Sequence, residues 1–288
     1  MKKILVSLLA SAVTLLSLSA QTFSDQKTFT FDVRGLETLR LHNKYGSVKV
    51  KGIDGNRATL RIKRTIKSSN PDKVEAAKTA VFMDSVNLDG ELMFFVENPD
   101  HELQIDENGR AFYQGRYQNW SDKRLRFHKL RVDMTIELSV PKSVPLYIST
   151  HHDDLVIKGI NADVVAQNHH GPVTVEAITG NVDVHTHHGY IKATVTKVPD
   201  KDATFDTHHG NIEVIYPSNL AADCSLSTRH GEFYTDFNYT AIPMKAKLVK
   251  SHQGTKYKLE GGTSIRVGRG GPKLRFKTYH GSIYLLRK

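Results

Sequence analysis

The chain has 288 residues, 39% of them hydrophobic, with 40 Lys and Arg against 30 Asp and Glu, a net charge of +10 and a single cysteine. That length is ample for a buried core, and a charged content of 24% excludes wholesale disorder. One cysteine excludes a disulfide framework and any Cys-based structural zinc site.

Residues 1–20 read as a secretory signal peptide: Lys2 and Lys3, an apolar stretch from Ile4 to Leu18, then small Ser19-Ala20 before polar Gln21. The stretch is short for a membrane span, and no cysteine stands near the cleavage site to carry a lipid. The sequence therefore predicts an exported chain, periplasmic or extracellular at the cell surface, with no transmembrane anchor. Without Lys2 and Lys3 the net charge is +8, scattered through alternating strands rather than massed. Together with export this argues against nucleic acid and reads first as a solvated, generally basic surface, with an anionic glycan or envelope partner as the alternative.

Residues 21–145 form an N-terminal β-rich part. Thr28–Val33, Ser47–Lys51, Thr59–Lys63 and Val132–Leu138 alternate apolar and polar residues with period two, the pattern of half-buried strands. One helix is predicted over about 70–80, with Asn70 as N-cap, Pro71 at its first position, and Asp72 and Glu75 near its positive end. Residues 98–128 break the alternation and read as a long surface hairpin or insertion, with Tyr113, Tyr117 and Trp120 in an aromatic-basic run. Within it Asp106-Glu107-Asn108-Gly109 lacks the distal Glu of a calcium loop and reads as a turn.

From 146 to 288 a four-residue phrase recurs. Thr150-His151-His152-Asp153 returns as Asn168-His169-His170-Gly171, Thr186-His187-His188-Gly189 and Thr207-His208-His209-Gly210. Thr228-Arg229-His230-Gly231, Ser251-His252-Gln253-Gly254 and Thr278-Tyr279-His280-Gly281 continue it, and Asn43-Lys44-Tyr45-Gly46 is an early copy. Eleven of the fifteen histidines occupy this slot. The spacing of 18 to 27 residues and the short alternating strands between copies predict an all-β, repetitive β-solenoid of stacked coils.

The parity of the alternation places the side chains. Val182 and Val184 put Thr186 inward, whereas Ile191 and Ala193 put Gly189 in the inward phase, so the chain turns a corner at His-His-Gly. Glycine suits a backbone there that a Cβ would resist, and Asp153 is the replacement that tolerates it best. Tyr257 is one residue out of step, which marks the copy at 251–254 as irregular. Stacking predicts an inward polar column (Asn43, Thr150, Asn168, Thr186, Thr207, Thr228, Ser251, Thr278). Two outward columns accompany it: His151, His169, His187, His208 and His252, and beside them His152, His170, His188, His209, His230 and His280. Cys224 shares the inward parity of Leu226 and reads as a buried, inert thiol.

On these residues the chain resembles the bacterial putative-adhesin β-solenoid family of unknown function. The likeness is carried by Thr150 to Gly159, by Gly189-Tyr190-Ile191-Lys192-Ala193, and by the N-terminal segment Leu39 to Gly52. The resemblance implies an exported solenoid and an adhesin-like role. It departs from the family pattern in its paired corner histidines.

Those columns admit three readings. They are structural corners; or they bind Zn²⁺, Cu²⁺ or Ni²⁺, with His185, Asp154 and Glu232 completing coordination; or they form a pH-responsive switch. The metal reading takes His151, His152, His169, His170, His187, His188, His208, His209, His230 and His280 as ligands, with no cofactor required for folding. An enzyme is the weakest reading, since no nucleophile elbow, His-Glu-x-x-His or phosphate-binding glycine loop occurs. The leading expectation is a non-enzymatic envelope interaction module for a protein or glycan, with Tyr45, Tyr190, Trp120 and Tyr279 available to stack on sugars. Purely structural service in the envelope is the alternative.

Overall fold

The computed structural model describes residues 22–88, 90–99, 101–106, 111–115, 130–243, 246–251, 254–259 and 262–288. The expected signal peptide, Trp120 and His252 lie outside the described residues. The chain divides into two compact units, Met1–Ile160 and Asn161–Lys288.

The first unit contains β1 (Thr22–Asp32), β2 (Thr38–Asn43), β3 (Val48–Ile53), β4 (Arg57–Ser68), α1 (Pro71–Ala80), β5 (Phe82–Leu88), β6 (Glu91–Glu97), β7 (His101–Ile105), β8 (Ala111–Gly115), β9 (Leu130–Pro141), β10 (Leu146–Thr150) and β11 (Leu155–Lys158). One sheet runs β1-β4-β9-β3-β11, antiparallel as far as β9 and parallel beyond it. The other runs β10-β2-β6-β5, with only the last pair antiparallel.

The period-two pattern of β4 is the burial pattern, and its inward phase includes Arg64 as well as Leu60, Ile62 and Ile66. The helix begins as its sequence predicts, with the Asn70 side chain accepting from the Asp72 amide at 2.9 Å. Val74 and Ala77 pack into a cluster with Ile66, Val81, Val96 and Met134. Arg64 is held by both carboxylate oxygens of Asp25 (2.9 and 2.7 Å) and donates to the carbonyls of Lys78 and Val81 at the end of α1. A buried cation is tolerable there because it is paired with a carboxylate and two carbonyls, with the Phe23 ring 5.4 Å from the guanidinium carbon. Within the predicted insertion, β7 and β8 form an antiparallel hairpin, and residues 116–129 are outside the described residues.

The second unit contains β12 (Val164–Gln167), β13 (Val173–Ile178), β14 (Val182–His185), β15 (Ile191–Val195), β16 (Ala203–Asp206), β17 (Ile212–Tyr216), β18 (Ala222–Ser227), β19 (Phe233–Thr235), β20 (Tyr239–Ile242), β21 (Ala246–Ser251), β22 (Gly254–Leu259), β23 (Thr263–Val267), β24 (Lys273–Lys277) and β25 (Ile283–Arg287). Two parallel ladders dominate it, β12-β14-β16-β24-β18 and β13-β15-β17-β25-β19. Equivalent residues of successive repeats are register partners: Val184 lies beside Phe205, Phe205 beside Phe276, and Ile191 beside Ile212. The inward row is fully buried, and the rings of Phe205 and Phe276 stack with centroids 5.3 Å apart. The described residues are thus all-β with one short helix.

Two features differ from a stack read in chain order. The last repeat does not close the array: β24 lies between β16 and β18, and β25 between β17 and β19, so the chain returns to fill an interior slot. The copy at 251–254 is not a corner. Ser251 and Gly254 face each other in an antiparallel pair of β21 and β22, which make a two-stranded sheet of their own. The sequence accords with this: Tyr257 and Leu259 keep the parity of Val249 and Ser251, so the alternation does not change phase across the phrase as it does at the corners.

Candidate functional site

Each regular corner is built from its inward threonine and its glycine. The Thr186, Thr207, Thr278 and Thr228 hydroxyls donate to the carbonyls of Gly171, Gly189, Gly210 and Gly281 at 3.1, 3.0, 3.0 and 2.8 Å. Four threonines of the predicted inward column are therefore bonded along the stack, each to the glycine of an adjoining rung. A Cβ on Gly210 would lie 2.2 Å from the Gly189 carbonyl oxygen, and one on Gly281 2.1 Å from that of Gly210. Close stacking is thus a reason for glycine that backbone conformation alone does not supply. Asp153, at φ 64°, shows the left-handed conformation expected of the replacement.

The second histidines are locked by the backbone. His170, His188, His209, His280 and His230 form parallel bridges in that order. His188 N donates to His169 O and His209 N to His187 O, both at 2.9 Å. The rings follow the backbone. In one column His169, His187, His208 and Tyr279 are parallel within 3–7°, with centroids 4.9–5.1 Å apart. In the other, His170, His188, His209, His280 and His230 are parallel within 3–9° at 4.7–5.1 Å. Across a rung the rings meet edge to face at 4.3–4.6 Å, which gives a herringbone two rings wide.

Desolvation by the stacked neighbouring rings, reinforced by repulsion from their imidazoles, holds His188, His209 and His280 below the ordinary histidine pKa. These three rings therefore resist taking up a proton more than a free imidazole does.

Of the predicted site residues, the structure joins His169, His170, His187, His188, His208, His209, His280 and His230 in this array, with Tyr279 beside His208, where chain order would put Arg229. His151 and His152 belong to the first unit, where their rings meet edge to face at 4.4 Å with Nδ1 and Nε2 3.1 Å apart. Among the described residues no group of three or more His, Cys, Asp or Glu side chains is arranged to hold a metal ion. Glu232, offered as a further ligand, accepts a hydrogen bond from the Tyr234 hydroxyl. Cys224 is buried, and burial pushes its thiol up to about 12, which removes it from thiolate chemistry.

A groove of about 440 Å³ runs along the herringbone in the second unit. Its floor is the threonine column, one wall carries His185, Asp206 and Lys277, and the other carries His187, His208, Tyr279 and Arg229. Asp206 and Lys277 face each other at 3.7 Å, and the Arg229 guanidinium lies 5.4 Å from the Tyr279 ring centroid. Sequence reasoning passed over Asp206, Lys277 and Arg229. They stand one residue either side of an inward threonine, the signal that would have found them, but the rung order that assembles them is not in the spacing.

No family model matches the chain, and no curated protein matches it. Among solved structures it is similar to a putative cell adhesion protein of Clostridium sporogenes (TM-score 0.45, 9% identity, covering 92% of this chain and 100% of that one). It is also similar to a putative adhesin of Bacteroides fragilis (TM-score 0.29, 13% identity, 90% and 96%). A putative lipid binding protein of Parabacteroides distasonis is a third (TM-score 0.23, 9% identity, 91% and 96%). At these scores and identities the likenesses carry no argument about what this chain binds. Among the described residues no helix is long and apolar enough to cross a membrane.

Proposed function

We propose that the chain is an exported, non-enzymatic β-solenoid acting as an adhesin-like interaction module of the bacterial envelope, with the ring-bearing corner as its contact face. The observation that carries the reading is the herringbone itself. Two columns of mostly exposed rings are fixed in register by backbone bridges and by threonine–glycine bonds. A face held this rigidly loses little side-chain entropy on binding, which is the main cost of contact for long surface side chains. The sequence resemblance and the export signal supply the setting, a surface or periplasmic partner made of protein or glycan.

The test is saturable adsorption of the mature chain to envelopes of the producing cell. The variant His170→Asn, His188→Asn, His209→Asn keeps the corner polar and removes the rings. Adsorption reduced tenfold or more at unchanged thermal stability supports the reading; equal adsorption refutes it.

Reversible binding of Zn²⁺, Cu²⁺ or Ni²⁺ is the second reading, favoured by imidazole centroids only 4.3–4.4 Å apart across each of three rungs. It ranks second because parallel rings in a column present their nitrogens side by side, and an ion could be shared only after rings rotate out of the stack. Calorimetric titration of the mature chain with each metal decides it: no binding tighter than about millimolar ends the metal reading.

A further inference from the structure

The groove beside the herringbone divides its chemistry along its length. At one end His185, on one rung, and Asp206 and His208, both on the next, offer hydrogen-bond acceptors and donors. At the other end stand Tyr279 and Arg229. Lys277 faces Asp206 at 3.7 Å, so those two charges offset each other. Arg229 is exposed and makes no ion pair among the described residues; its guanidinium lies over the Tyr279 ring, 5.4 Å from the centroid. The groove thus holds one uncompensated cation, set against an aromatic ring, at the end of a row of hydroxyl-binding groups. Four rungs at ~4.8 Å give a run of about 14 Å, the length of a short oligosaccharide.

We propose that this groove binds a glycan carrying a carboxylate on one residue next to an uncharged one. The proposal rests on the reading of the chain as an envelope interaction module and names the class of partner. Arg229 takes the carboxylate, for which its planar fork is the matched donor. Tyr279 packs beside that sugar, and Asp206 with His185 takes the hydroxyls of the next one. A densely charged polymer such as a nucleic acid fits worse, because Asp206 would then face a phosphate and only Arg229 would remain without a carboxylate neighbour.

The test uses the mature full chain and three probes in calorimetric titration at pH 7.5. They are a hyaluronan tetrasaccharide (alternating glucuronate and N-acetylglucosamine), chitotetraose (its uncharged counterpart), and an eight-residue thymidine oligonucleotide. The expected result is submillimolar binding of the hyaluronan fragment, with at least tenfold weaker binding of the other two. Arg229→Gln should weaken hyaluronan binding at least tenfold, and Arg229→Lys should restore part of it, at unchanged thermal stability. Equal binding of chitotetraose, equal or tighter binding of the oligonucleotide, indifference to Arg229→Gln, or no binding of the hyaluronan fragment each overturns the proposal. If the hyaluronan fragment fails while envelope adsorption still depends on the herringbone, only the ligand assignment falls. If adsorption is also indifferent to the rings, the reading of the contact face falls with it.

Discussion

Two stretches of the second unit carry nearly the same phrase and fold it differently. Thr207-His208-His209-Gly210 is a corner: His209 bridges its neighbours in parallel, and the threonine bonds the glycine of the adjoining rung. In the copy at 251–254, Ser251 ends one strand and Gly254 begins another, and the two strands pair antiparallel with each other. The phrase therefore does not make a corner by itself. What makes one is a change in the phase of the apolar alternation across it, so that both arms can lay their apolar rows on the same core. Around 207–210 that change is present, with Ala203 and Phe205 buried before it and Ile212 and Val214 buried after it.

The comparison can be broken most forcefully at the glycine. Gly210→Val puts side-chain carbon into the Gly189 carbonyl, and we expect a loss of about 3 kcal/mol or more in denaturant unfolding. A loss under about 1 kcal/mol would mean that the rungs are not stacked this closely.

A second test separates the exposed corner histidines from a buried one. His42, in the first unit beside the Tyr147 ring, is pushed down to about 3 by burial, with repulsion from Arg40 adding to it. Its folded pKa lies below the unfolded value near 6.5, so the unfolded chain binds the extra proton. The stability it contributes is complete above about pH 6.5 and is lost progressively as pH falls toward 3. At about 1.4 kcal/mol per pH unit this costs about 2 kcal/mol between pH 6.5 and 5. His188, His209 and His280 shift in the same direction and add to the acid sensitivity. His42→Leu should flatten the pH dependence of stability while leaving the share of His188, His209 and His280; an unchanged profile would remove His42 from the account.

Thr207→Val tests the bond that ties one rung to the next. It leaves the Gly189 carbonyl without its 3.0 Å donor, and the expected cost is about 1 kcal/mol in chemical denaturation. No measurable change would assign the threonine column to shape alone. The smallest effect belongs to the hairpin: replacing 246–259 by a short loop should change unfolding by under about 1 kcal/mol, because β21 and β22 pair only with each other among the described strands. Loss of the cooperative transition would show that the hairpin is part of the stack.

Much of this was legible in the residues. Period-two burial along β4, β9 and β14, the cap at Asn70, the inward threonines and the outward histidines all follow from local alternation and local chemistry. What the sequence did not carry is the order of the rungs. Alternation fixes which way a side chain points but not which strand lies beside it, so nothing in the spacing places His280 between His209 and His230. The groove was missed for the same reason, since Lys277 and Tyr279 join Asp206 and His208 only through that interior slot. Arg64 was missed differently: a cation in the inward phase of β4 reads as an interruption until Asp25 and the end of α1 are placed around it.

The rung order underlies both the columns and the groove, and it can be measured directly. With Cys224→Ala as background, His209→Cys with His280→Cys places two thiols on neighbouring rungs, ~4.8 Å apart along the ladder and within disulfide reach. His209→Cys with His230→Cys places them two rungs apart, at about 9.6 Å and out of reach. Under mild oxidation the first pair should close to an intramolecular disulfide while the second stays reduced. Closure of the 209–230 pair with the 209–280 pair remaining open would contradict the interior placement of the last rung, and with it the face on which the proposed function rests.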